Sequence, residues 1–153
     1  EQGTPLMVID KFEDINAWQE ARILTQMVYD MTRAKPFSSD YSLVDQTRRA
    51  AVSSMANIAE GFDSATNKGF MSFLYYSQRS TTEVQSHLYV ALDQKYLSKE
   101  QFDDIYAQCD KVKGLVGGFI KYLKSSNYEQ RTKNEELRTK NEKPKEVSCR
   151  IFQ

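Results

Sequence analysis

The amino-acid sequence predicts an all-α protein, an antiparallel up-down-up-down four-helix bundle. Apolar residues recur at spacings of three and four in four separate stretches, which is the period of a helix with one buried face. The connections between these stretches are short or moderate in length, and no stretch has the alternation of a half-buried strand. Four amphipathic helices joined in this way bury their apolar faces most simply against antiparallel neighbours.

Composition places the chain among ordinary globular proteins. Its 153 residues fit one domain, and they are 40% hydrophobic and 12% aromatic, which argues against a disordered chain. The longest apolar run, residues 114–120, is short and broken by glycines, so we expect no membrane partner and no secretory signal. Cys109 and Cys149 lack the number and spacing of a disulfide framework or a zinc site, which favours a cytoplasmic protein.

The first helix is expected to follow an N-terminal extension. Residues 1–11 are set apart because EQGTPL, which precedes Met7, is typical of a remnant of cloning or of a cleaved precursor. Pro36 and the serines that follow it are expected to end the helix. The apolar stripe of this helix consists of Ile15, Trp18, Ala21, Leu24, Val28 and Met31.

The second and third helices are each predicted from a cap and a stripe. Ser42, three residues before Asp45, is expected to cap the second helix, and Thr66 or Asn67 the third. The second helix is expected to end near Gly61, in the left-handed conformation that closes many helices. The second stripe consists of Val44, Thr47, Ala51, Ser54, Ile58 and Phe62. The third consists of Phe70, Phe73, Leu74, Ser77, Thr81, Val84, Leu88, Ala91 and Leu92.

The fourth helix is predicted to begin with a capping box formed by Ser98 and Gln101. Gly114, Gly117 and Gly118 each weaken an exposed helix by up to about 1 kcal/mol, so we expect them to allow close contact with a neighbouring helix, with a bend in the helix as the alternative. The stripe consists of Phe102, Ile105, Tyr106, Cys109, Val112, Val116, Phe119, Ile120 and Leu123. The bundle is therefore predicted to occupy residues 12–125.

Residues 126–153 are predicted to form a polar C-terminal tail. TKNE occurs at residues 132 and 139, a period of seven, but apolar positions are too few for a coiled-coil seam. The Glu, Lys and Arg content is compatible with a continuation of the fourth helix to about residue 142, and Pro144 would end it.

The formal net charge is zero, whereas nucleic-acid-binding domains usually carry a net positive charge. Residues 1–125 hold 14 Lys and Arg against 16 Asp and Glu, a net charge of −2, and the remaining residues hold 7 against 5, a net charge of +2. Any basic surface must therefore be local.

Three blocks of the sequence resemble a known family. They are FEDINAWQEA at residues 12–21, RRAAVSSMANIAEG at residues 48–61 and KGFMSFL at residues 68–74. Together they resemble the four-helix bundle proteins encoded in intervening sequences of bacterial 23S rRNA genes, also described as S23 ribosomal-protein-like, from about Phe12 to Leu123. The chain departs from that pattern at Met55, where the family commonly has a proline that would kink the second helix.

The resemblance implies a small bundle that forms a homopentamer. The family is also similar in fold to the accessory protein of diversity-generating retroelements, a basic pentameric barrel that partners a reverse transcriptase and nucleic acid. The present chain lacks that overall basic charge. The resemblance therefore implies the fold and leaves the molecular function open.

Arg48 and Arg49 allow two interpretations. They point about 100° apart on a helix, so we expect one to pair with a carboxylate and the other to be solvated or at an interface. The alternative is contact with RNA or DNA phosphates, shared with Lys68 and Arg79 on the third helix.

A buried polar cluster between the second and third helices is expected from Asn57, Glu60, Arg79 and Glu83. Asn57 lies three residues before Glu60, and Arg79 lies four residues before Glu83. We expect no catalytic residue, because no convergent second group can be placed beside them. His87 is the only histidine, and the paired Glu-x-x-His motifs of a di-iron bundle are missing. No metal or cofactor is expected.

The aromatic residues favour a protein interface. Tyr75, Tyr76 and Tyr89 lie partly outside the third stripe, and Trp18 lies near the start of the first helix. Such side chains are enriched at interfaces, although the edges of the bundle's own core are an alternative place for them. The sequence thus predicts a non-enzymatic interaction or scaffold protein that self-associates. The alternative is an RNA- or DNA-binding accessory factor, for example to a reverse transcriptase or an rRNA element.

Overall fold

The chain folds into four helices, as predicted. The structure, a computed structural model, describes residues 9–141, with side chains up to residue 126. The helices are α1 (Asn16–Arg33), α2 (Tyr41–Phe62), α3 (Asn67–Asp93) and α4 (Lys99–Asn141). Short 3-10 turns at Phe12–Asp14 and Phe37–Ser39 precede α1 and α2. No strand occurs within residues 9–141, and the all-α prediction is confirmed.

The helices pack as an up-down-up-down bundle. Each helix packs against the next one in the chain, and α4 returns against α1. The four predicted stripes supply most of the core, because spacings of three and four keep these side chains on one face of each helix. The largest fully buried apolar side chains are those of Phe37, Leu24, Ile58, Leu74, Leu88, Val28, Val84, Val112 and Val116.

Two of the predicted helix caps are confirmed and one is wrong. The Thr66 hydroxyl accepts a hydrogen bond from the Gly69 amide at 3.0 Å. Ser98 and Gln101 form the expected capping box, with bonds of 3.1 and 3.0 Å in the two directions. Asp40, rather than Ser42, caps α2 by accepting from the Leu43 amide at 3.2 Å. The 3-10 turn before α2 ends at Ser39 and Asp40 follows it, so the helix begins at Tyr41 and Ser42 lies inside its first turn.

The turn between α3 and α4 is tied to the start of α2. Lys95 adopts a positive φ of 61°, and the amide of Tyr96 donates to the Ala91 carbonyl at 2.8 Å, which closes α3 in the manner of a Schellman motif. The Tyr96 ring stacks on Phe37 at 5.0 Å, and its hydroxyl donates to Asp40 at 3.0 Å. One tyrosine therefore links the ends of two helices.

The glycines have other roles than expected. Gly61 does not adopt a left-handed conformation, because α2 continues through it to Phe62 and none of the described glycines has a positive φ. Among the described residues, a methyl group at Gly114 or Gly118 would meet no atom of a neighbouring helix within 4 Å, so the prediction of close helix contact is wrong for both. Of the three glycines in α4, Gly117 alone lies against a neighbouring helix among the described residues, with Gln78 Nε2 3.2 Å from the position of a methyl group.

The fourth helix is longer than the bundle requires. It has 43 residues, or about 64 Å at 1.5 Å per residue, while the last buried core residue among the described side chains is Leu123. Helix α2 is continuous through Met55. Among the described helices, none combines the length and apolar character needed to cross a membrane. Residues 1–8 and Pro144 lie outside the described residues, so the division into extension, bundle and tail stays a prediction.

Candidate interaction surface

Two adjacent tyrosines stand out on the outer face of α3. The side chains on either side of them in the sequence, Leu74 and Ser77, are fully buried, and a helix turns about 100° per residue. Tyr75 and Tyr76 therefore point away from the core, and they are 44% and 51% exposed. Large aromatic side chains exposed side by side are typical of a contact surface.

A positively charged side chain lies against each of the two tyrosine rings. The Arg79 guanidinium lies 6.0 Å from the centroid of the Tyr76 ring, and the Lys124 ammonium lies 5.7 Å from that of Tyr75. These distances fall within the range of a cation–π attraction. At exposed positions such a contact contributes about 0.5–1 kcal/mol, which favours the observed orientation of each ring.

A shallow depression of about 350 Å³ adjoins Tyr75, between α3 and α4. It is lined by Tyr75, Gln78, Arg79, Thr82 and Lys113. The Gln78 side chain donates to the Lys113 carbonyl at 3.2 Å, and the Lys113 ammonium donates to Gln85 at 3.1 Å. The floor of the depression is thus held by bonds between the two helices.

This surface is locally basic, although the chain as a whole is neutral. Neither residues 67–82 of α3 nor residues 111–126 of α4 include an Asp or Glu. The two stretches lie side by side, since the Phe70 and Phe119 rings are 5.1 Å apart. We call the outer surface that they form the basic tyrosine face; its residues are Lys68, Tyr75, Tyr76, Arg79, Lys113 and Lys124. The sequence does contain a sign of this basic surface, because two stretches have no acidic residue. The net charge of the whole chain is zero and does not reveal it.

Arg48 and Arg49 are engaged within the fold. The Arg48 Nε donates to the Thr32 hydroxyl at 2.8 Å, and its guanidinium lies 4.5 Å from the Tyr29 ring centroid, so it joins α2 to α1. Arg49 is exposed and pairs with Asp45 at 3.0 Å along its own helix. The structure therefore places one arginine on a carboxylate and the other, partly buried, against α1. It does not bring Arg48 or Arg49 into the basic tyrosine face with Lys68 and Arg79.

The predicted buried polar cluster is wrong. Glu60, Arg79 and Glu83 are exposed, and Asn57 donates to the carbonyl and hydroxyl of Ser53 on its own helix, at 2.8 and 3.0 Å. Long charged side chains can turn outward to water, so their spacing along a helix does not require burial.

Short hydroxyl side chains occupy the buried positions between α2 and α3 instead. The hydroxyls of Ser54 and Thr81 are 2.7 Å apart, and the Ser77 hydroxyl donates to the Ser54 carbonyl at 2.7 Å. The Thr81 hydroxyl donates to the Ser77 carbonyl at 2.9 Å. Among the described residues, every buried side-chain nitrogen and oxygen has a partner. This layer therefore serves to pack α2 closely against α3.

The other two predicted interface aromatics lie apart from Tyr75 and Tyr76. Trp18 is half-buried on α1, edge-on to Phe12 at 5.1 Å. Tyr89 is 51% exposed and lies against the Phe102 ring at 4.9 Å. It is 14 residues beyond Tyr75, about 21 Å along α3. Trp18 thus belongs to the edge of the core, and Tyr89 is a separate exposed position on α3.

The remaining titratable groups of interest form structural contacts. His87 Nδ1 lies 3.3 Å from the Thr47 hydroxyl. Burial raises the pKa of the Cys109 thiol to about 12, so this sulfur is unreactive near neutrality. The hydrogen bond from Gln108, followed by the ion pair with Lys111, lowers the pKa of Glu20 and links α1 to α4. No group of three His, Cys, Asp or Glu side chains within the described residues is placed to hold a metal ion.

A second concave surface lies on the other side of α4, against α1. It is a mostly apolar groove of about 380 Å³. Gly114 and Gly118 leave it open, because neither has a side chain to fill it. The other lining residues are Ile9, Asp14, Ile15, Asn16, Ala17, Leu115, Phe119 and Tyr122. This groove was not predicted from the sequence, because glycines in a helix were expected at a contact between helices.

Comparison with known proteins agrees with this architecture. A family model described as 23S rRNA-intervening sequence protein matches residues 13–118. The chain is also similar to the 1.70 Å crystal structure of a protein with unknown function from the S23 ribosomal protein family of Bacteroides thetaiotaomicron. The TM-score is 0.63 at 18% sequence identity, over 69% of this chain and 98% of that one, which shows the fold alone. No curated protein matches the chain. The resemblance predicted from the three sequence blocks is confirmed.

Proposed function

The chain belongs to the 23S rRNA-intervening sequence protein family, and on that premise we propose that it is a non-enzymatic interaction protein that self-associates. The assembly is a homopentamer, as the resemblance implies, and it acts in the cytoplasm as a scaffold for a partner. The observation that carries the proposal is the pair of exposed tyrosines on α3, each with a cation against its ring.

The chemistry of this pair suits a protein interface. Tyrosine and arginine are over-represented among the residues that dominate binding energy, because each combines a large contact area with a directed polar group. The cations over Tyr75 and Tyr76 restrict the rings in advance, which lowers the conformational entropy lost on association. The face also has the surrounding polar groups that a typical interface rim provides.

Sedimentation velocity tests self-association through this face. The wild-type chain is expected to sediment as an oligomer at micromolar concentration. Tyr75→Asp combined with Tyr76→Asp is expected to lower the association constant at least about 100-fold, because two anchor residues lose about 1.5 kcal/mol or more each. Tyr41→Asp is the matched control, since Tyr41 is an exposed tyrosine at the first residue of α2. A wild-type chain that remains monomeric at high micromolar concentration contradicts the proposal.

RNA or DNA binding is the second candidate function, and the acid-free composition of the basic tyrosine face favours it. Lys68, Arg79, Lys113 and Lys124 can approach phosphates while Tyr75 and Tyr76 offer rings for base stacking. Single-stranded nucleic acid is bound in this way by other basic, aromatic surfaces. Lys68 and Arg79 support this candidate, while Arg48 is held by α1 and supports it less.

A gel-shift series over salt concentration tests this second candidate. If four phosphates are contacted, the logarithm of the binding constant should fall with the logarithm of salt concentration with a slope of about −3 for single strands. Arg79→Ala should weaken binding and make the slope shallower, whereas Arg49→Ala, an exposed cation paired with Asp45, serves as the control. Absence of any shift at low salt rejects nucleic-acid binding.

A further inference from the structure

We propose that the groove between α1 and α4 is the socket for the basic tyrosine face of a second copy of this chain, so that copies join head to tail into a closed ring. This inference rests on the proposed self-association and names the two surfaces that meet. Four observations carry it: the open glycines, the exposed ring beside them, the opposite charges of the two surfaces and their common level along the bundle.

The groove has a floor that the described residues leave uncovered. Gly114 and Gly118 lie one turn apart on α4, and within the described residues no atom outside that stretch of helix lies within 4 Å of a methyl group built at either. A glycine on an open helix face costs about 1 kcal/mol relative to alanine. Two such residues on one side of a helix keep a space free, and a second chain can fill it.

The wall of the groove suits an aromatic side chain. Tyr122 is 61% exposed, and its ring is nearly parallel to that of Phe119, with centroids 6.2 Å apart and an interplanar angle of 2°. Leu115 and Ile9 add aliphatic surface. A volume of about 380 Å³ accommodates a tyrosine ring together with part of a neighbouring side chain. Apolar and aromatic surface of this kind is buried favourably against another ring.

The charges of the two surfaces are complementary. On the α1 side of the groove, Asp14 is the charged residue of the lining, and residues 9–16 as a whole carry Asp10, Glu13 and Asp14 against Lys11, a net charge of −2. The basic tyrosine face has positive groups and lies on stretches without a single Asp or Glu. Surfaces of opposite charge steer two copies into this orientation and disfavour like-to-like contact.

The geometry favours a ring over a filament. Both surfaces are built on the same part of α4: Lys113 and Lys124 border one, and Gly114, Gly118 and Tyr122 line the other. They lie on the α3 side and the α1 side of that helix, so one chain cannot bring its own two surfaces together. Two different surfaces make a head-to-tail contact, and such contacts close into a ring when successive copies are rotated without translation along the axis. Because the two surfaces lie at the same height along the bundle, joining them requires no translation along the ring axis.

Cross-linking with a short bis-maleimide tests the pairing of the two surfaces. Ser72→Cys lies beside Tyr75 and Tyr76, and Asn16→Cys lies at the groove, both at positions that leave the proposed contacts in place. In a Cys149→Ser background, a mixture of the two variants should give a mixed dimer, whereas each variant alone should give little. One chain with both cysteines should give a ladder that ends at the ring size. Glu100→Cys, at the opposite end of α4, replaces Asn16→Cys as the control and should give no product.

Filling the groove separates this inference from the proposed self-association. Gly118→Leu adds a side chain where the described residues leave open space, so the fold should persist, and the association constant should fall at least tenfold. If the wild-type chain is an oligomer but Gly118→Leu associates normally and the mixed cross-link is absent, the socket is wrong while self-association stands. If Gly118→Leu lowers the melting temperature without changing association, the chain's own N-terminal residues occupy the groove and the inference fails. A monomeric wild-type chain rejects both, and cross-linking that depends on added RNA assigns the basic tyrosine face to nucleic acid instead.

Discussion

A methyl group on Gly61 would lie 2.7 Å from Cδ2 of Phe70, closer than two carbon atoms can approach without displacement. It would also lie 2.9 Å from Cβ of Phe73, an atom fixed to the backbone of α3. Gly61 is therefore a point at which the last turn of α2 packs tightly against the beginning of α3. The two helices can pack at this distance only because residue 61 has no side chain.

Gly61→Ala is expected to destabilise the bundle, although alanine favours a helix by about 1 kcal/mol over glycine. Overpacking at this contact costs about 1–3 kcal/mol, so the net effect is a loss of up to about 2 kcal/mol. Urea unfolding of dilute protein, followed by circular dichroism, measures the change. Gly114→Ala is the control, because its methyl group meets open space and should leave stability unchanged or raise it. Equal changes in the two variants contradict this account of Gly61.

The two adjacent arginines should differ in their contribution to stability. Arg48→Ala removes a hydrogen bond to Thr32 and a cation–π contact with Tyr29 at a partly buried position, and should cost about 1–2 kcal/mol. Arg49→Ala removes one exposed ion pair and should change the free energy of unfolding by less than about 0.5 kcal/mol. Chemical unfolding of both variants provides the comparison. A larger loss at Arg49 than at Arg48 would overturn the assignment.

The fold was predictable to the level of individual helices because its signals are local. The stripes that include Leu24, Ile58, Leu74 and Val116 follow from helix periodicity alone, and these side chains are buried. Where several local signals compete, the sequence is ambiguous. Asp40 and Ser42 are both good capping residues, and the 3-10 turn that precedes α2 decides between them. Lys95 occupies a left-handed position that usually favours glycine, so nothing in its residue type marks the turn.

The candidate site was predictable only in part, because it depends on which residues of different helices become neighbours. Tyr75 and Tyr76 were expected at an interface from their places outside the stripe, and they are exposed. The roles of Gly61, Gly114 and Gly118 depend on the distance to other helices, which the sequence does not contain. The buried hydroxyl layer was visible as polar residues within apolar stripes, but their partners lie 23 or more residues away.

Glu20 is expected to make the bundle more sensitive to acid. Its pKa is lowered in the folded state, chiefly by the hydrogen bond from Gln108 and then by Lys111. The stabilisation is therefore complete above the unfolded pKa of about 4.3 and is lost as the pH falls through the lower folded value. Between pH 6 and about pH 3, the wild-type chain should lose more stability than Glu20→Gln, as urea unfolding at a series of pH values would show. Gln108→Ala removes the hydrogen bond to Glu20, so this variant should also lose less stability than the wild-type chain over the same pH range. Parallel pH profiles for wild type and Glu20→Gln would contradict the assignment.

Native mass spectrometry of the full-length chain, purified from its host at physiological salt, tests self-association most directly, because it reports the number of copies and any bound nucleic acid together. A homo-oligomer of five copies, whose mass is that of the protein alone, is expected. A monomer, or a particle whose mass requires RNA or DNA for assembly, would contradict it.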